Sequence, residues 1–380
     1  MANPRPVKAS RAHDGGHVPV GDKDKARPPQ AWHCVLLAAP VLAGTAMVLA
    51  ALAGCAICGQ VAAPAPRPEP TRTLAPTLEP SSIFSSTLLS QQPVAYLADV
   101  CQYLRERWDP ARSAPGTVVV AIMFHSVEVG GVYQPGDTFI PAQELTRTAQ
   151  VARELGFQTV TAPQLAGFLE HNARIPARAM IWIVDDRRPD DVANHYLPIA
   201  EQNGWTITLG WIIGDTDQRE GLWERMEGMH AGGRLDVQSH GYEHRYIMAD
   251  TPEDLLRQEL FGPVAVLEQH FGERPIAFVW PGGNFTPRAV QLAREAGYRI
   301  GFSSNSRGPF MYNWIPLGDD EIEAGDPLMV LPRFWAKPGL AEQLEVAAAV
   351  GDAAAAQALA GYAREAAYYR AVCGGELPPR

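Results

Sequence analysis

The chain is short of positive charge: 32 Lys and Arg stand against 42 Asp and Glu, a formal net charge of -10 over 380 residues. Binding nucleic acid through phosphate contacts needs the opposite balance, so that class is excluded. A neutral or cationic polymer remains open as a partner. Cysteine is scarce as well, with Cys34, Cys55, Cys58, Cys101 and Cys373. Cys55-Ala-Ile-Cys58 has no second CxxC to pair with, which excludes a zinc finger. It also lies inside an apolar run, where membrane or signal-segment cysteines outweigh a metal or redox site. Cys101 and Cys373 sit near the two ends of the globular part. Outside the cytosol they either form a disulfide or stay as two thiols, since sequence does not give their distance. There is no Gly-x-Ser-x-Gly elbow, which weighs against a serine acyl hydrolase, and no internal repeat.

Charge is missing altogether from residues 31–63. Within that run, "VLLAAPVLAGTAMVLAALAGCAICG" exceeds the ~20 residues that cross a bilayer. Lys23, Lys25 and Arg27 precede it, and the next basic residue is Arg67. The positive-inside rule therefore expects residues 1–30, which are polar, Pro- and Gly-rich and read as disordered, in the cytosol. Leu52-Ala-Gly-Cys55 also resembles a lipoprotein signal-peptidase site. Residues 31–60 are thus either a single-pass anchor or a lipoprotein signal segment anchored at Cys55. Both leave the rest of the chain tethered outside the cytoplasmic membrane. Residues 61–92 read as a Pro/Thr/Ser-rich linker, residues 93–345 as the catalytic domain, and residues 346–380 as a helical tail. The Ala-rich stretch 339–370 is expected to be helical and to pack on the outside.

The globular part alternates two patterns. Apolar, β-branched runs at 117–124, 179–184, 206–213, 276–280, 299–304 and 328–332, with "LDVQS" at 235–239, read as buried strands. Helical spacing covers 94–108, 142–155, 163–171, 189–203, 218–230, 252–271 and 287–296. Strands apolar on both faces that alternate with helices imply a parallel sheet. About seven such units favour a distorted (β/α) barrel over an open sheet. In either architecture the chemistry belongs at the C-terminal strand ends.

Four polar clusters fall there. His125 follows the first strand, and Asp185-Asp186 end "IWIVDD". His240 and His244 lie in "DVQSHGYEHRY", with Ser239 and Tyr242 as neighbours, and "FVWPGGNFTP" makes a tight turn. Two imidazoles and a carboxylate are a common set for a catalytic Zn2+ with one position open. A second aspartate beside such a site suits proton transfer from an attacking water. The Pro-Gly-Gly turn offers backbone N–H groups to an oxyanion, while Thr286 and Pro287 cap and start the next helix. Each cluster alone has a bland reading, as a loop start, a solvated turn or a strand-end histidine. Asp190 and Asp191, after Pro189, read as the acidic first turn of a helix.

The ordered combination is more specific than its parts. Asp-Asp after an apolar strand, His-x-x-x-His about 55 residues on, then an aromatic-Pro-Gly turn and "RAVQLAREAGY" resemble the NodB-like polysaccharide deacetylases of carbohydrate esterase family 4. The resemblance covers roughly residues 116–340. It implies metal-dependent hydrolysis of N- or O-linked acetyl groups on a polysaccharide. By position it makes Asp185 the general base and Asp186, His240 and His244 the metal ligands, with Zn2+ expected first and Co2+, Ni2+ or Fe2+ as alternatives. Trp280, Pro281 and Gly282 match the motif that shapes the groove wall.

Three positions depart from the family pattern. Arg187 stands where a glycine usually follows the Asp pair, Val279 lies near the place of a usual arginine, and Arg333 in "VLPRFW" replaces the catalytic-acid histidine. His125 resembles a first-strand histidine of some members and is the candidate acid; Arg333 is grouped with the substrate-binding residues. The expected function is deacetylation of an envelope or extracellular polysaccharide. The alternative is a catalytically weak, carbohydrate-binding relative, favoured by the three departures. The loop 303–326, rich in aromatics, is expected to decide which polysaccharide is accepted. Oligomeric state is left open.

Overall fold

The structure is a computed structural model that describes residues 93–378. The expected anchor, the cytosolic N-terminus and the linker all lie outside the described residues. Among the described residues no helix is long and apolar enough to cross a membrane.

Eight strands form one sheet: β1 (Val118–Phe124), β2 (Gln158–Thr159), β3 (Arg178–Asp185), β4 (Ile207–Trp211), β5 (Leu235–Ser239), β6 (Ala277–Val279), β7 (Ile300–Phe302) and β8 (Phe334–Trp335). The path runs β7-β6-β5-β4-β3-β1-β8, with short β2 paired to the first half of β3. Every pairing within it is parallel. A further parallel bridge, Phe302 to Leu331, links β7 to the segment that leads into β8. The result is a curled parallel sheet of seven strands along its main path, as the alternating pattern implies.

Helices cross between the strands: α1 (Val100–Trp108), α2 (Ala142–Glu154), α3 (Ala162–His171), α4 (Leu197–Asn203), α5 (Leu222–Ala231), α6 (Glu253–Phe271), α7 (Pro287–Ala296) and the long α8 (Leu340–Tyr368). Their ends follow capping chemistry. Asp99 accepts from the amides of Cys101 and Gln102, and Thr161 forms a reciprocal capping box with Gln164. The helix expected over 189–203 is helical throughout, with a π segment at Val192–Tyr196 between Pro189–Asp191 and α4. The tail helix α8 is continuous and packs Leu344, Ala347 and Ala354 into the main core.

Alternation along a strand decides which side chain faces which layer. Val118, Val120, Ile122 and Phe124 join Trp182, Val184 and the helix residues Leu145 and Leu344 in one cluster. Val119, Ala121, Ile181 and Ile183 face the other way, into a cluster with Phe278, Phe302 and Leu331. Asp185 and His125 continue that second set in register. Both therefore arrive at the C-terminal strand ends on the same side of the sheet.

Two expectations are corrected. The run 328–332 is not a strand: Pro327–Met329 is a 3-10 turn, and only Leu331 bridges β7. Pro327 and Pro332 have no N–H to give a ladder; the strand forms two residues later, at β8. The aromatics of loop 303–326 do not line the site. Phe310 bridges Val119 at the start of β1, and Tyr312 stacks on Tyr103. These rings are buried under the N-terminal strand ends, at the pole opposite the chemistry.

Cys101 and Cys373 form a disulfide between α1 and the C-terminal end, 272 residues apart in sequence. Joining such distant points restricts the unfolded chain. Reducing this bond, or replacing Cys101 and Cys373 by serine, is expected to lower the unfolding free energy by about 2–5 kcal/mol. Urea denaturation with and without reductant measures this, and an unmoved midpoint contradicts it.

Candidate active site

Asp185 is the last residue of β3, and Asp186 follows with φ at 69°, in the left-handed region. That turn sends the two carboxylates in different directions. His240 follows β5 directly, and His244 also has a left-handed φ of 61°. Non-glycine residues in this region store strain and persist where the surroundings fix them. Here both are members of the His-Asp cluster.

Asp186, His240 and His244 converge. Their ligating atoms all lie within 4.8 Å of one another. Asp186 Oδ1 is 3.7 Å from His240 Nε2 and 3.6 Å from His244 Nε2. Donors bound tetrahedrally to Zn2+ at about 2.0–2.1 Å would stand about 3.4 Å apart, close to these separations. His240 Nδ1 is 2.7 Å from the Val279 carbonyl. That contact assigns the proton to Nδ1 and leaves Nε2 with a lone pair. Burial pushes the His240 pKa down to about 4, so the ring is neutral at neutral pH. A carboxylate oxygen and an imidazole lone pair facing each other call for a cation between them. The residues present therefore fit a divalent ion.

Asp185 takes no part in that cluster. It is 2% exposed and receives Nη1 of Arg333 on both oxygens, at 2.8 and 3.0 Å. Arg333 is 1% exposed, and its Nε donates to the Ser303 carbonyl. Burial pushes the Asp185 carboxyl up, but Arg333 first, then His240 and His125, outweigh it and hold the pKa below its ordinary value. The assignment of Arg333 to substrate is thus corrected. It has no surface to offer a ligand, because its guanidinium is inside the fold neutralising Asp185.

His125 closes the site from the end of β1. Its ring stacks on Trp335 at 6.1 Å between centroids, and it interacts with Asp185, Asp186, Arg333 and Arg188. Burial lowers its pKa against the pull of the two aspartates.

Arg187 turns away from the site. Nη1 donates to the carbonyls of Ile212 and Gly214, and Nη2 pairs with Asp215 at 2.8 Å. Arg188 turns toward it and donates to Asp186 Oδ2 at 3.0 Å. Asp191 accepts from the Val127 amide and Asp190 pairs with Arg225, so neither joins the cluster.

Trp280 and Pro281 are corrected as well. Trp280 is 0% exposed and its indole donates to the Met329 carbonyl, so it supports the turn from within. Pro281 is buried beside it. Gly282 reaches the surface. A Cβ there would lie 2.9 Å from the ring of Tyr246. Tyr246 is 59% exposed, rests on that bare glycine and meets His244 edge-on at 5.6 Å. The amides of Gly283 and Asn284 donate to the carbonyls of Trp280 and Pro281. That removes both from the oxyanion role expected of this turn.

Glu259, on α6, escaped the sequence reading. It is fully buried, and its two oxygens accept the amides of Tyr242 and Glu243, each at 2.9 Å. A Cβ on Gly241, at φ +88°, would fall 2.4 Å from Glu259 Oε2. The carboxylate thus clamps the backbone between the two histidines, and glycine at 241 is what lets it approach. The sequence signal is only a glutamate in the helix after the histidine loop, which any helix can carry.

The fold and these donors define a class: a curled parallel α/β sheet with a two-histidine, one-carboxylate donor set above its strand ends. Residues 174–301 match the family model described as polysaccharide deacetylase. Among solved structures, the Streptococcus pyogenes deacetylase PplD in complex with acetate is 18% identical, with a TM-score of 0.50, over 61% of this chain and 98% of that one. IcaB from Ammonifex degensii is 19% identical, with a TM-score of 0.47, over 62% and 98%. At such identities the likeness to PplD is one of fold. No curated protein matches the chain.

Two outcomes are expected from this geometry. Arg333→Met leaves Asp185 as a buried charge without its partner and should destabilise the fold by about 3–5 kcal/mol, read from urea denaturation. A variant as stable as the parent contradicts the pairing. Glu259→Gln puts an amide donor against backbone donors and should weaken Zn2+ binding by about 10–100-fold in a chelator competition. An unchanged affinity contradicts the clamp.

Proposed function

We propose that the protein is a metal-dependent deacetylase that hydrolyses N- or O-linked acetyl groups of an envelope or extracellular polysaccharide. The observation that carries this is the coexistence of two separate devices at one set of strand ends. One is the Asp186, His240 and His244 donor set. The other is Asp185, a carboxylate outside that set and held ionised by Arg333.

A divalent ion held by the three donors would polarise the acetyl carbonyl and activate water. The roles of the chain follow from their environments. Asp185 is ionised at neutral pH and has lone pairs left beside Arg333, so it accepts the proton of the attacking water. His240 is fixed through the Val279 carbonyl. His125, on the opposite flank, delivers a proton to the leaving nitrogen or oxygen. Tyr246 and Trp335 offer aromatic rims for a sugar.

The three departures do not favour the weak-binding alternative. Arg187 points elsewhere, the Val279 carbonyl orients a ligand, and Arg333 supplies Asp185 with its counter-charge. We further propose that the domain works outside the cytoplasmic membrane, tethered through residues 31–60. The Cys101–Cys373 disulfide supports this, since such bonds persist in oxidising compartments.

Acetate release from N-acetylated chito-oligosaccharides tests the reading. The metal-loaded protein should release acetate, and chelation or Asp185→Asn should abolish it. No release by the loaded protein from any acetylated polysaccharide sinks the reading. His125→Ala should slow amide hydrolysis by about 10^2–10^4-fold, yet barely affect 4-nitrophenyl acetate, whose leaving group needs no proton. Equal losses on both substrates contradict the donor role. The sign of its pKa shift sets the pH dependence: the protonated form disappears as pH rises through a value below the ordinary 6.5. The alkaline limb of the amide profile should therefore fall below pH 6.5 and vanish in His125→Ala.

A further inference from the structure

Arg188 is a charged group beside the donor set that the proposed reaction does not use. Its Nη2 holds Asp186 Oδ2 at 3.0 Å. Its side chain is 30% exposed, and Nε is buried with no hydrogen-bond partner. A buried donor without a partner costs free energy, and a ligand at the site can satisfy it. Arg188 also acts electrostatically on His125, which follows the adjacent strand β1.

Each carboxylate of the Asp185-Asp186 pair has an arginine beside it. Arg333 neutralises Asp185, Arg188 neutralises Asp186, and Asp215 takes Arg187. Asp186, the carboxylate of the donor set, therefore already has a cation beside it. A guanidinium with spare donors, beside a carboxylate pair that already has its counter-charges, recognises an oxyanion, and a carboxylate fits its fork. We propose that Arg188 selects an acetylated saccharide that bears a carboxylate, such as a uronate next to the acetylated sugar. This inference rests on the deacetylase reading and specifies its substrate class. The chain as a whole is acidic, with a net charge of -10. Long-range attraction therefore does not favour such a polymer, and any preference must come from local cations.

Two tetrasaccharides separate the terms: chitotetraose, neutral and N-acetylated, and hyaluronan tetrasaccharide, N-acetylated with glucuronate carboxylates. Calorimetric titration of the metal-free full-length chain measures binding without turnover. The chain should bind the hyaluronan tetrasaccharide at least ~5-fold more tightly than chitotetraose at low salt, with the gap narrowing as salt rises. Arg188→Met should erase the gap, and Arg188→Lys, which keeps the charge, should retain part of it. Zn2+ affinity of Arg188→Met should be no weaker than that of the parent.

Equal or weaker binding of the anionic tetrasaccharide by the parent overturns the inference. So does a preference that survives Arg188→Met. A Zn2+ affinity lowered ~10-fold together with equal losses on both saccharides also overturns it, because Arg188 would then only position Asp186. Failure of acetate release would remove the deacetylase reading and leave this binding preference standing. Equal binding would remove the preference and leave the activity standing.

Discussion

Asp185 and Arg333 share one buried ion pair, and the rest of the site is arranged around it. A carboxylate 2% exposed at the end of a parallel strand is costly to keep ionised. Arg333 makes it tolerable by placing Nη1 on both oxygens while Ser303 holds Nε from behind. With Asp185 engaged inside the fold, Asp186 is the carboxylate left to face His240 and His244. The left-handed φ at Asp186 turns that division of labour into geometry. Asp185 is directed to the buried Arg333, and Asp186 to two imidazoles and the partly exposed Arg188.

A second layer keeps the imidazoles in place. The Val279 carbonyl fixes the tautomer of His240, and Glu259 binds the backbone that separates it from His244. Neither contact touches a ligating atom. Both reduce the freedom of the histidine loop before any ion arrives, which is how outer contacts raise the affinity of a metal site. Tyr246, laid over Gly282, extends this ordered surface to solvent.

Much of the architecture was legible because it depends on period and chemistry that act locally. The strand at 235–239 and the helix at 287–296 stand where their apolar patterns put them. Asp185, Asp186, His240 and His244 were found because their spacing follows strand ends. What escaped depends on contacts between distant segments. Arg333 is 148 residues from Asp185, and nothing local marks an arginine destined for burial. Glu259 reads as one more helical acid until the Gly241 backbone is seen against it. Trp280 was placed in the groove wall by its match to the family motif, and its burial depends on the Met329 carbonyl, 49 residues away. The aromatics of 303–326 were misplaced for a similar reason: their composition suits sugar stacking, but their path leads to the other pole of the sheet. Arg187 and Arg188 are adjacent and identical, yet one anchors a neighbouring loop and the other reaches Asp186. Only the backbone direction after Asp186 separates them.

The central claim is that Asp186, His240 and His244 hold one divalent ion while Asp185 stays free of it. Elemental analysis of the purified full-length chain, after exposure to excess Zn2+ and removal of unbound ion, tests this directly. The account predicts one ion per chain in the parent and in Asp185→Asn, and none above background when His240 and His244 are both replaced by alanine. Full occupancy in that double variant, or an empty parent, would contradict it.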